Sequence, residues 1–383
     1  TVLTYTGTLS GAPVLTWEPP VGSILVASFD TATAGIITVT LVEPPRLPGP
    51  ITWTGANSFD WDTTTANWIA NSLATGYQTG DSPNFTDAGN AASPINITAT
   101  VSPAAVAVDS SKNYAFGGTG VIDGSASLSK SGSGTLTVSS AHNFTGGTTI
   151  HSGTITVGSA SSLGTGTVTL SGGTWNTATF SPQNPILVTA DSTISGGDGG
   201  GSHAVKNISG SGILTLNATS VFDIEGDVSG FSGTFALTGV GSFRLFTTAY
   251  DGSADAVFDL GTESLTARQG SAYKIGALVG QAGSTLGMAS NNSSSTCTYT
   301  IGGKNIDSTF DGVIANGSTT KKVAVTKTGS GNLVLSGANT YTGNTTVSSG
   351  KLTVNGSLAA TATTVANAAS LGGSGTIAGA VTC

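Results

Sequence analysis

The sequence predicts an all-β protein, a right-handed parallel β-solenoid (β-helix) with a short N-terminal β-structured appendage. Apolar residues alternate with threonine in short runs such as Thr135–Val138, which is typical of half-buried strands. Glycine-rich turns separate these runs. Equivalent inward positions return after about 18–20 residues, as from Leu136 to Ile155 and from Ile150 to Val168. This return fits one coil of a solenoid, and a β-sandwich array is the alternative.

The composition excludes several classes of protein. Only 8% of the 383 residues are charged, against about 25% in an ordinary soluble domain. A coiled coil or helical bundle needs far more charged residues. The net charge of −8 includes no basic stripe, so no nucleic-acid partner is expected. No apolar run approaches the roughly 20 residues of a membrane-spanning helix.

Residues 1–50 are predicted to form a β-structured appendage that ends in a proline-rich linker. Alternating runs occur near Ile24–Phe29 and Ile36–Leu41, and prolines between 44 and 50 favour a stiff, extended segment. These strands are too few to bury a core alone. Two hypotheses follow: they cap the first coil, or they pair with the open end of a neighbouring molecule.

The second hypothesis specifies a contact between copies of the chain. Residues 1–43 of one molecule would add strands to the C-terminal coils of the next and build a head-to-tail homopolymer. The residues expected at this self-assembly contact are Val2, Leu3, Tyr5, Ile24, Val26, Ile37, Val39, Leu352, Val354, Leu371, Ile377 and Val381.

Residues 51–120 are predicted to form a Trp- and Asp-rich cap with the first coils. Trp53, Trp61 and Trp68 recur every seven or eight residues. Buried, they would close the first coil; exposed, they could stack on sugar rings.

Four aspartates of the same region form a weak candidate Ca²⁺ site, because Ca²⁺ prefers carboxylate and carbonyl oxygens. A solvated acidic face is the alternative, and no other cofactor is expected. The four residues are Asp60, Asp62, Asp81 and Asp87.

Residues 121–383 are predicted to form the solenoid proper, and they contain an internal repeat. The segment 130–157 realigns without a gap on 327–354, 197 residues later. Changes between the copies keep the character of the residue, as in Phe144/Tyr341. One coil module is therefore used more than once.

Both copies resemble the autotransporter-associated β-strand repeat, also called the passenger-associated transport repeat. Leu371–Thr382 is similar to the stretch that commonly follows that module, and Ile51–Trp68 resembles the opening of large secreted bacterial proteins that carry it. Residues 1–43 depart from the usual pattern. The resemblance implies an exported β-helical surface protein without catalytic activity. The first residue, Thr1, is consistent with removal of a signal peptide.

An enzyme is the weaker hypothesis. Asp223, Glu225 and Asp227 alternate along one predicted strand, and two carboxylates at a suitable distance could hydrolyse a glycosidic bond. A polar surface strand is the simpler interpretation. His142 and His151 align with Asn339 and Ser348 in the second copy, which indicates tolerant surface positions. His203 follows a glycine-rich loop.

The two cysteines, Cys297 and Cys383, allow two interpretations. They are unrelated thiols, or they form a disulfide across coils or between subunits, which requires Cα atoms within about 7 Å.

These observations predict a non-enzymatic structural subunit of an extracellular bacterial fibre or surface matrix. The alternative is an adhesin-like passenger that binds glycans or cell surfaces through a lateral face or its tryptophans.

Overall fold

A computed structural model describes residues 2–4, 26–30, 36–42, 46–197, 204–246 and 251–383. The chain divides into two compact units, 1–48 and 49–383. In the first unit, three antiparallel strands form a sheet of order β1-β3-β2. They are β1 (Val2–Thr4), β2 (Val26–Asp30) and β3 (Ile36–Val42).

The second unit contains five sheets in which almost every neighbouring pair of strands is parallel. The long sheet comprises β5 (Asp60–Trp61), β9 (Ile95–Ile97), β11 (Tyr114–Gly117), β13 (Thr135–Val138), β15 (Thr154–Val157), β17 (Thr174–Ala178), β19 (Ser192–Gly196), β22 (Ile213–Ala218), β24 (Thr234–Gly239), β26 (Gly252–Asp259), β28 (Ala272–Val279), β30 (Thr296–Ile301), β33 (Lys322–Lys327), β36 (Thr345–Val347), β39 (Thr363–Val365) and β42 (Val381–Thr382).

Four shorter sheets complete the coils. The early sheet comprises β4 (Pro50–Trp53), β6 (Trp68–Ala70), β7 (Leu73–Thr75), β8 (Ser82–Thr86), β10 (Ala105–Asp109), β12 (Ser127–Ser131), β14 (Thr148–Ile150), β16 (Val168–Leu170), β18 (Ile186–Val188) and β21 (Ile208–Gly210). The middle sheet comprises β20 (Ala204–Lys206), β23 (Val221–Glu225), β25 (Ser242–Leu245), β27 (Ser264–Ala267), β29 (Thr285–Met288) and β32 (Val313–Ile314). The late sheet comprises β31 (Ser308–Phe310), β34 (Asn332–Leu335), β37 (Lys351–Val354) and β40 (Ser370–Gly372), and the short sheet β35 (Ala338–Asn339), β38 (Ser357–Leu358) and β41 (Thr376–Ile377).

This arrangement is a parallel β-solenoid of about 14 turns, and the predicted all-β fold class is confirmed. The sixteen rungs of the long sheet, at about 4.8 Å each, extend for roughly 70 Å. The coil length varies: Val138 pairs with Val157, 19 residues later, whereas Ile275 pairs with Ile301, 26 residues later.

One predicted register is wrong. Ile150 stacks on Leu170, and Val168 stacks on Thr148. The coil is 20 residues long because it includes corner residues, and the alternation within strands does not reveal how many residues a corner contains.

The core is a stack of side chains that point inward from every second strand position. In β13, Leu136 and Val138 are buried while Thr135 and Thr137 face outward. Hydrogen-bonded neighbours align like on like, because a shift of one residue would turn the apolar set to solvent. One inward column reads Leu136, Ile155, Trp175, Ile194, Leu216 and Leu237.

Glycines hold the corners where two coils approach closely. A Cβ atom added at Gly241 would lie 1.7 Å from the carbonyl oxygen of Ser220 on the preceding coil. At Gly210 the backbone has a φ of +96°, and a Cβ atom would lie 2.0 Å from the oxygen of Val188. Only glycine fits such corners without a shift of the backbone.

The long sheet passes from one face of the coil to another at β26 and β28. These two strands pair in two separate stretches, with a register shift between Ser253 and Val257. β24 continues from the second stretch and β30 from the first. The equivalent strands of the two repeats therefore lie in different sheets, β13 in the long sheet and β34 in the late sheet.

Candidate functional surfaces

The three tryptophans of the first coils lie together in the core. The ring centroids of Trp53 and Trp68 are 5.0 Å apart at 73°, and those of Trp61 and Trp68 are 5.4 Å apart at 68°. Tyr77 and Phe85 complete the cluster, and all five side chains are buried. Edge-to-face packing of this kind stabilises a core beyond the area it buries. A sugar needs an exposed aromatic face, so the expected glycan stacking does not fit these residues.

The four aspartates do not come together. Each carboxylate accepts hydrogen bonds from different donors. Asp60 accepts from Asn96 Nδ2 (2.7 Å), and Asp62 accepts from the N–H groups of Thr64 (2.8 Å) and Thr65 (2.6 Å). Asp81 accepts from the N–H groups of Gly49 (3.0 Å) and Gln78 (2.7 Å), and Asp87 accepts from Ser110 Oγ (2.6 Å) and the N–H of Ser111 (2.7 Å). The hydroxyl of Ser110 and the neighbouring donors lower the pKa of Asp87 to about 2.

Within the described part of the chain, no group of three or more His, Cys, Asp or Glu residues could hold a metal ion. The predicted calcium site is therefore not assembled. These carboxylates order loops and link coils, a use that their sequence spacing does not reveal.

A lysine that sequence reasoning missed is buried in both repeats. Lys130 and Lys327 point inward at the ends of β12 and β33. Burial lowers the pKa of each ammonium group, while Asp109 and Asp307 oppose this effect. Each Nζ atom donates to carbonyls of a glycine corner: Lys130 to Ser131 (2.5 Å) and Gly132 (2.9 Å), and Lys327 to Thr328 (2.6 Å), Gly329 (3.0 Å) and Ser349 of the next coil (3.3 Å).

The signal for this lysine was present in the sequence. In both copies Lys stands two positions before a Gly-Ser-Gly corner, with one residue between them. The ammonium group donates hydrogen bonds to carbonyl oxygens where the chain turns, and it shares some of them with weaker donors, as at Gly132, whose oxygen also accepts from Ser152 Oγ at 3.4 Å. It is therefore a structural feature of the repeat, and its burial removes it from any surface role.

The first histidine of the repeat is a core residue, so its predicted surface position is wrong. The Nδ1 atom of His142 accepts a hydrogen bond from the N–H of Ile122 (3.1 Å), and the side chain is buried. In the second copy, Asn339 Oδ1 accepts from the N–H of Ile314 (2.9 Å). The exchange conserves the acceptor. Burial lowers the pKa of His142 to about 4.

The other two histidines differ from His142. His151 is exposed, as is its counterpart Ser348, which fits the predicted tolerant position. His203 lies outside the described residues.

The acidic strand is engaged by basic residues of adjacent coils. The guanidinium of Arg244 forms two hydrogen bonds with the fully buried carboxylate of Asp223, at 2.5 and 2.7 Å. Lys206 pairs with Glu225 at 2.9 Å. Asp227 lies beyond the end of β23, where it accepts from Ser229. The expectation of three carboxylates on one strand face is wrong, because the strand ends at Glu225.

The residues expected at the self-assembly contact are distributed unevenly. Leu352 and Val354 are buried in β37, which is hydrogen-bonded on both sides by β34 and β40. They cannot form an intermolecular contact without unfolding. Leu371 and Ile377 are partly buried, and Val381 is 46% exposed.

The remaining predicted contact residues belong to the first unit. Val2 and Leu3 lie in β1, Val26 in β2, and Ile37 and Val39 in β3. Tyr5 and Ile24 lie outside the described residues.

Both cysteines are free, so of the two interpretations a disulfide across the coils of one chain does not fit the structure, and a bridge between subunits stays a prediction. Cys297 is buried in β30, whereas Cys383 is exposed directly after β42. Four rung spacings of the long sheet separate these strands, or about 19 Å. This distance is far beyond what a disulfide bridges.

With this geometry in place, the comparison with known families is decisive for the repeat. A profile of the passenger-associated-transport-repeat family matches residues 128–157 and 325–354. The chain carries two passenger-associated transport repeats. The matched segments run from β12 to β15 and from β33 to β37, and they include Lys130 and Lys327. Neither a curated protein nor a solved structure matches the chain.

The passenger repeat indicates a secreted surface protein. Its two copies lie in parallel coils of the solenoid, where one strand follows another across a glycine corner. The described residues contain no helix with the length and hydrophobicity of a membrane span.

Proposed function

We propose that this chain is a non-enzymatic structural subunit of an extracellular bacterial fibre or surface matrix. The observation that carries the proposal is the occurrence of two passenger repeats in an unbroken parallel solenoid. The carboxylates considered for catalysis bind basic side chains or order loops. Asp87 and Asp109 line one open depression of the described surface, where Ser110 Oγ and the N–H of Ser111 donate hydrogen bonds to Asp87.

The two ends of the solenoid unit differ in how their edge strands are paired. At the first coils, β4, β6 and β7 form an antiparallel arrangement over the tryptophan cluster. In the last coil, β40, β41 and β42 are each hydrogen-bonded on one side within the described residues. An unpaired parallel ledge is a template for strand addition.

On this proposal, strands from residues 1–43 of a second copy occupy the ledge formed by β40–β42. The described strands of this segment, β1, β2 and β3, form a sheet of their own, and the segment lies outside the residues that the passenger-repeat profile matches. The contact area available at the ledge includes Leu371, Ile377 and Val381, whose apolar surfaces are incompletely covered.

Negative-stain microscopy and sedimentation of the full chain test this proposal. The wild-type protein is expected to form filaments, and both deletion of residues 1–43 and Val381→Lys should leave single rods. Val240→Lys changes an exposed residue beyond β24 and should leave filaments intact. Single wild-type rods at every concentration, or unchanged filaments after the deletion, would refute end-to-end assembly.

An adhesin is the second candidate, and one outward aromatic residue favours it. Phe246 lies 5.8 Å from the guanidinium of Arg244 and 5.7 Å from that of Arg268. Such a cationic and aromatic surface could contact an acidic sugar. Binding on a glycan array that is lost with Arg268→Ala, in a protein that stays monomeric, would support the adhesin over the fibre subunit.

A further inference from the structure

Six consecutive rungs of the long sheet form a regular outward surface, here called the threonine face. It comprises two columns, one from each of two outward positions on β13, β15, β17, β19, β22 and β24. The first column is Thr135, Thr154, Thr174, Thr193, Thr215 and Ala236, and the second is Thr137, Thr156, Asn176, Ser195, Asn217 and Thr238.

The spacing of the threonine face is fixed by the backbone. Neighbouring rungs are about 4.8 Å apart, and the two columns are about 6.6 Å apart because they are separated by two residues of an extended strand. The first column contains five threonines without interruption. β-Branched threonine is restricted at χ1, so its hydroxyl and methyl groups keep nearly constant positions.

The hydroxyl groups of this column are free to bind a ligand. Within the described part of the chain, the Oγ1 atoms of the five threonines make no hydrogen bond, and all five side chains are partly exposed. None of the twelve positions carries a charge. Charged residues appear at the borders: Asp191 precedes β19, and Asp259 follows the face in the next rung.

These properties discriminate among ligands. Six rungs of about 4.8 Å and two columns of about 6.6 Å give the face an area of roughly 380 Å², well below the about 800 Å² per partner of a stable protein interface. It presents no aromatic residue on which a sugar could stack. A small molecule would contact only one or two rungs, so its binding would not account for the regularity of the other rungs. The first column repeats threonine at every rung over five rungs, and this regular spacing matches a ligand whose own surface is periodic.

We propose that the threonine face binds ice. The methyl groups disfavour mobile water above the face, while the free hydroxyls hold water molecules at the repeat of the rungs. Water ordered in this way resembles a crystal layer and can merge with the surface of an ice crystal. A rigid array loses little conformational entropy when it binds, which favours a solid lattice over a flexible chain.

Partition of the full-length protein into a slowly grown ice crystal, with microscopy of crystal shape, tests this inference. The wild-type chain is expected to enter the ice and to produce faceted crystals. Thr174→Lys, which places a charge at the centre of the face, should reduce the protein in the ice at least tenfold. Thr169→Lys is the matched control: it lies on β16 in the same coil and faces outward from the early sheet.

Circular dichroism separates loss of binding from loss of folding, since both variants should melt near the wild-type temperature. Exclusion of the wild-type protein from ice, or an equal loss with Thr169→Lys, would overturn the inference. Binding to crystalline cellulose or chitin without binding to ice would also overturn it. The outcome is independent of filament formation, because the face lies on the side of the solenoid.

Discussion

At the residue scale, the two repeats act as natural substitutions of one another. The hydroxyl of Tyr341 is hydrogen-bonded to Thr345 Oγ1 at 2.7 Å in the second repeat. Phe144 occupies the tyrosine position in the first repeat, and Thr148 Oγ1 is buried without a partner among the described residues. An unpaired buried hydroxyl destabilises the folded state. The exchange of one oxygen atom thus distinguishes two otherwise similar coils.

Phe144→Tyr should restore the missing hydrogen bond and raise the free energy of unfolding by about 1 kcal/mol. Tyr341→Phe should lower it by about 1 kcal/mol, because Thr345 Oγ1 loses its shorter hydrogen bond and keeps only the one with Thr361 Oγ1 at 3.4 Å. Urea unfolding followed by circular dichroism measures both effects. A shift of the two variants in the same direction would contradict this assignment.

His142 predicts an acid-sensitive stability. Its pKa in the folded protein is about 4, below the ordinary 6.5, because burial disfavours the charged ring. The unfolded chain therefore binds a proton first, and stability falls as the pH drops from about 6.5 towards 4. His142→Asn, which copies the second repeat, should remove this part of the pH dependence. His151→Asn changes an exposed histidine and should leave the profile of thermal unfolding against pH unchanged.

At the element scale, the antiparallel hairpin and the tryptophan cluster close the solenoid at its first coils. β6 and β7 are joined by Asn71 and Ser72, which have φ values of 50° and 68°. Two left-handed residues are the geometry of a tight hairpin turn. The reversal ends the parallel ledge of the early sheet, and the aromatic rings fill the interior beneath it.

Trp61→Ala should destabilise these first coils strongly. Removal of a fully buried tryptophan leaves a large cavity and costs about 3–5 kcal/mol. Amide hydrogen exchange should increase in residues 51–97, and Leu73→Ala on the exposed edge strand should have little effect. Unchanged protection in Trp61→Ala would show that the cluster does not hold the cap.

Comparison of sequence and structure shows which elements could be predicted. Strands such as β13 and β15 followed from alternation between glycine corners, because a strand must turn its apolar residues inward. The buried Lys130, the buried His142 and the separation of the four aspartates could not be predicted from this alternation. Their partners lie on other coils or at corners, and alternation along one strand carries no information about either.

At the scale of the whole molecule, strands pair with strands of the coils directly above and below, although the side chain of Lys304 reaches back 72 residues to the carbonyl of Ser232. Stability in such a solenoid is close to a sum of coil terms and interface terms between neighbours. A local defect is therefore expected to loosen a few coils and to leave distant ones intact.

Gly241→Ala tests this independence, because the added Cβ atom would clash with the backbone of Ser220. Hydrogen exchange should accelerate in residues 213–259 and remain slow in residues 327–365. Gly117→Ala is the control, since no heavy atom lies within 4 Å of the added carbon. Uniform acceleration along the chain would show that the solenoid opens as a single unit.

The reactivity of the two thiols can be used to measure how often such local openings occur. Burial raises the pKa of Cys297 to about 12, so the thiol is neither ionised nor accessible while β30 is in place. Cys383 is exposed and should react with an alkylating reagent at once. The delay between the first and the second adduct in a mass spectrum reports how often the coil around residue 297 opens, without any added label.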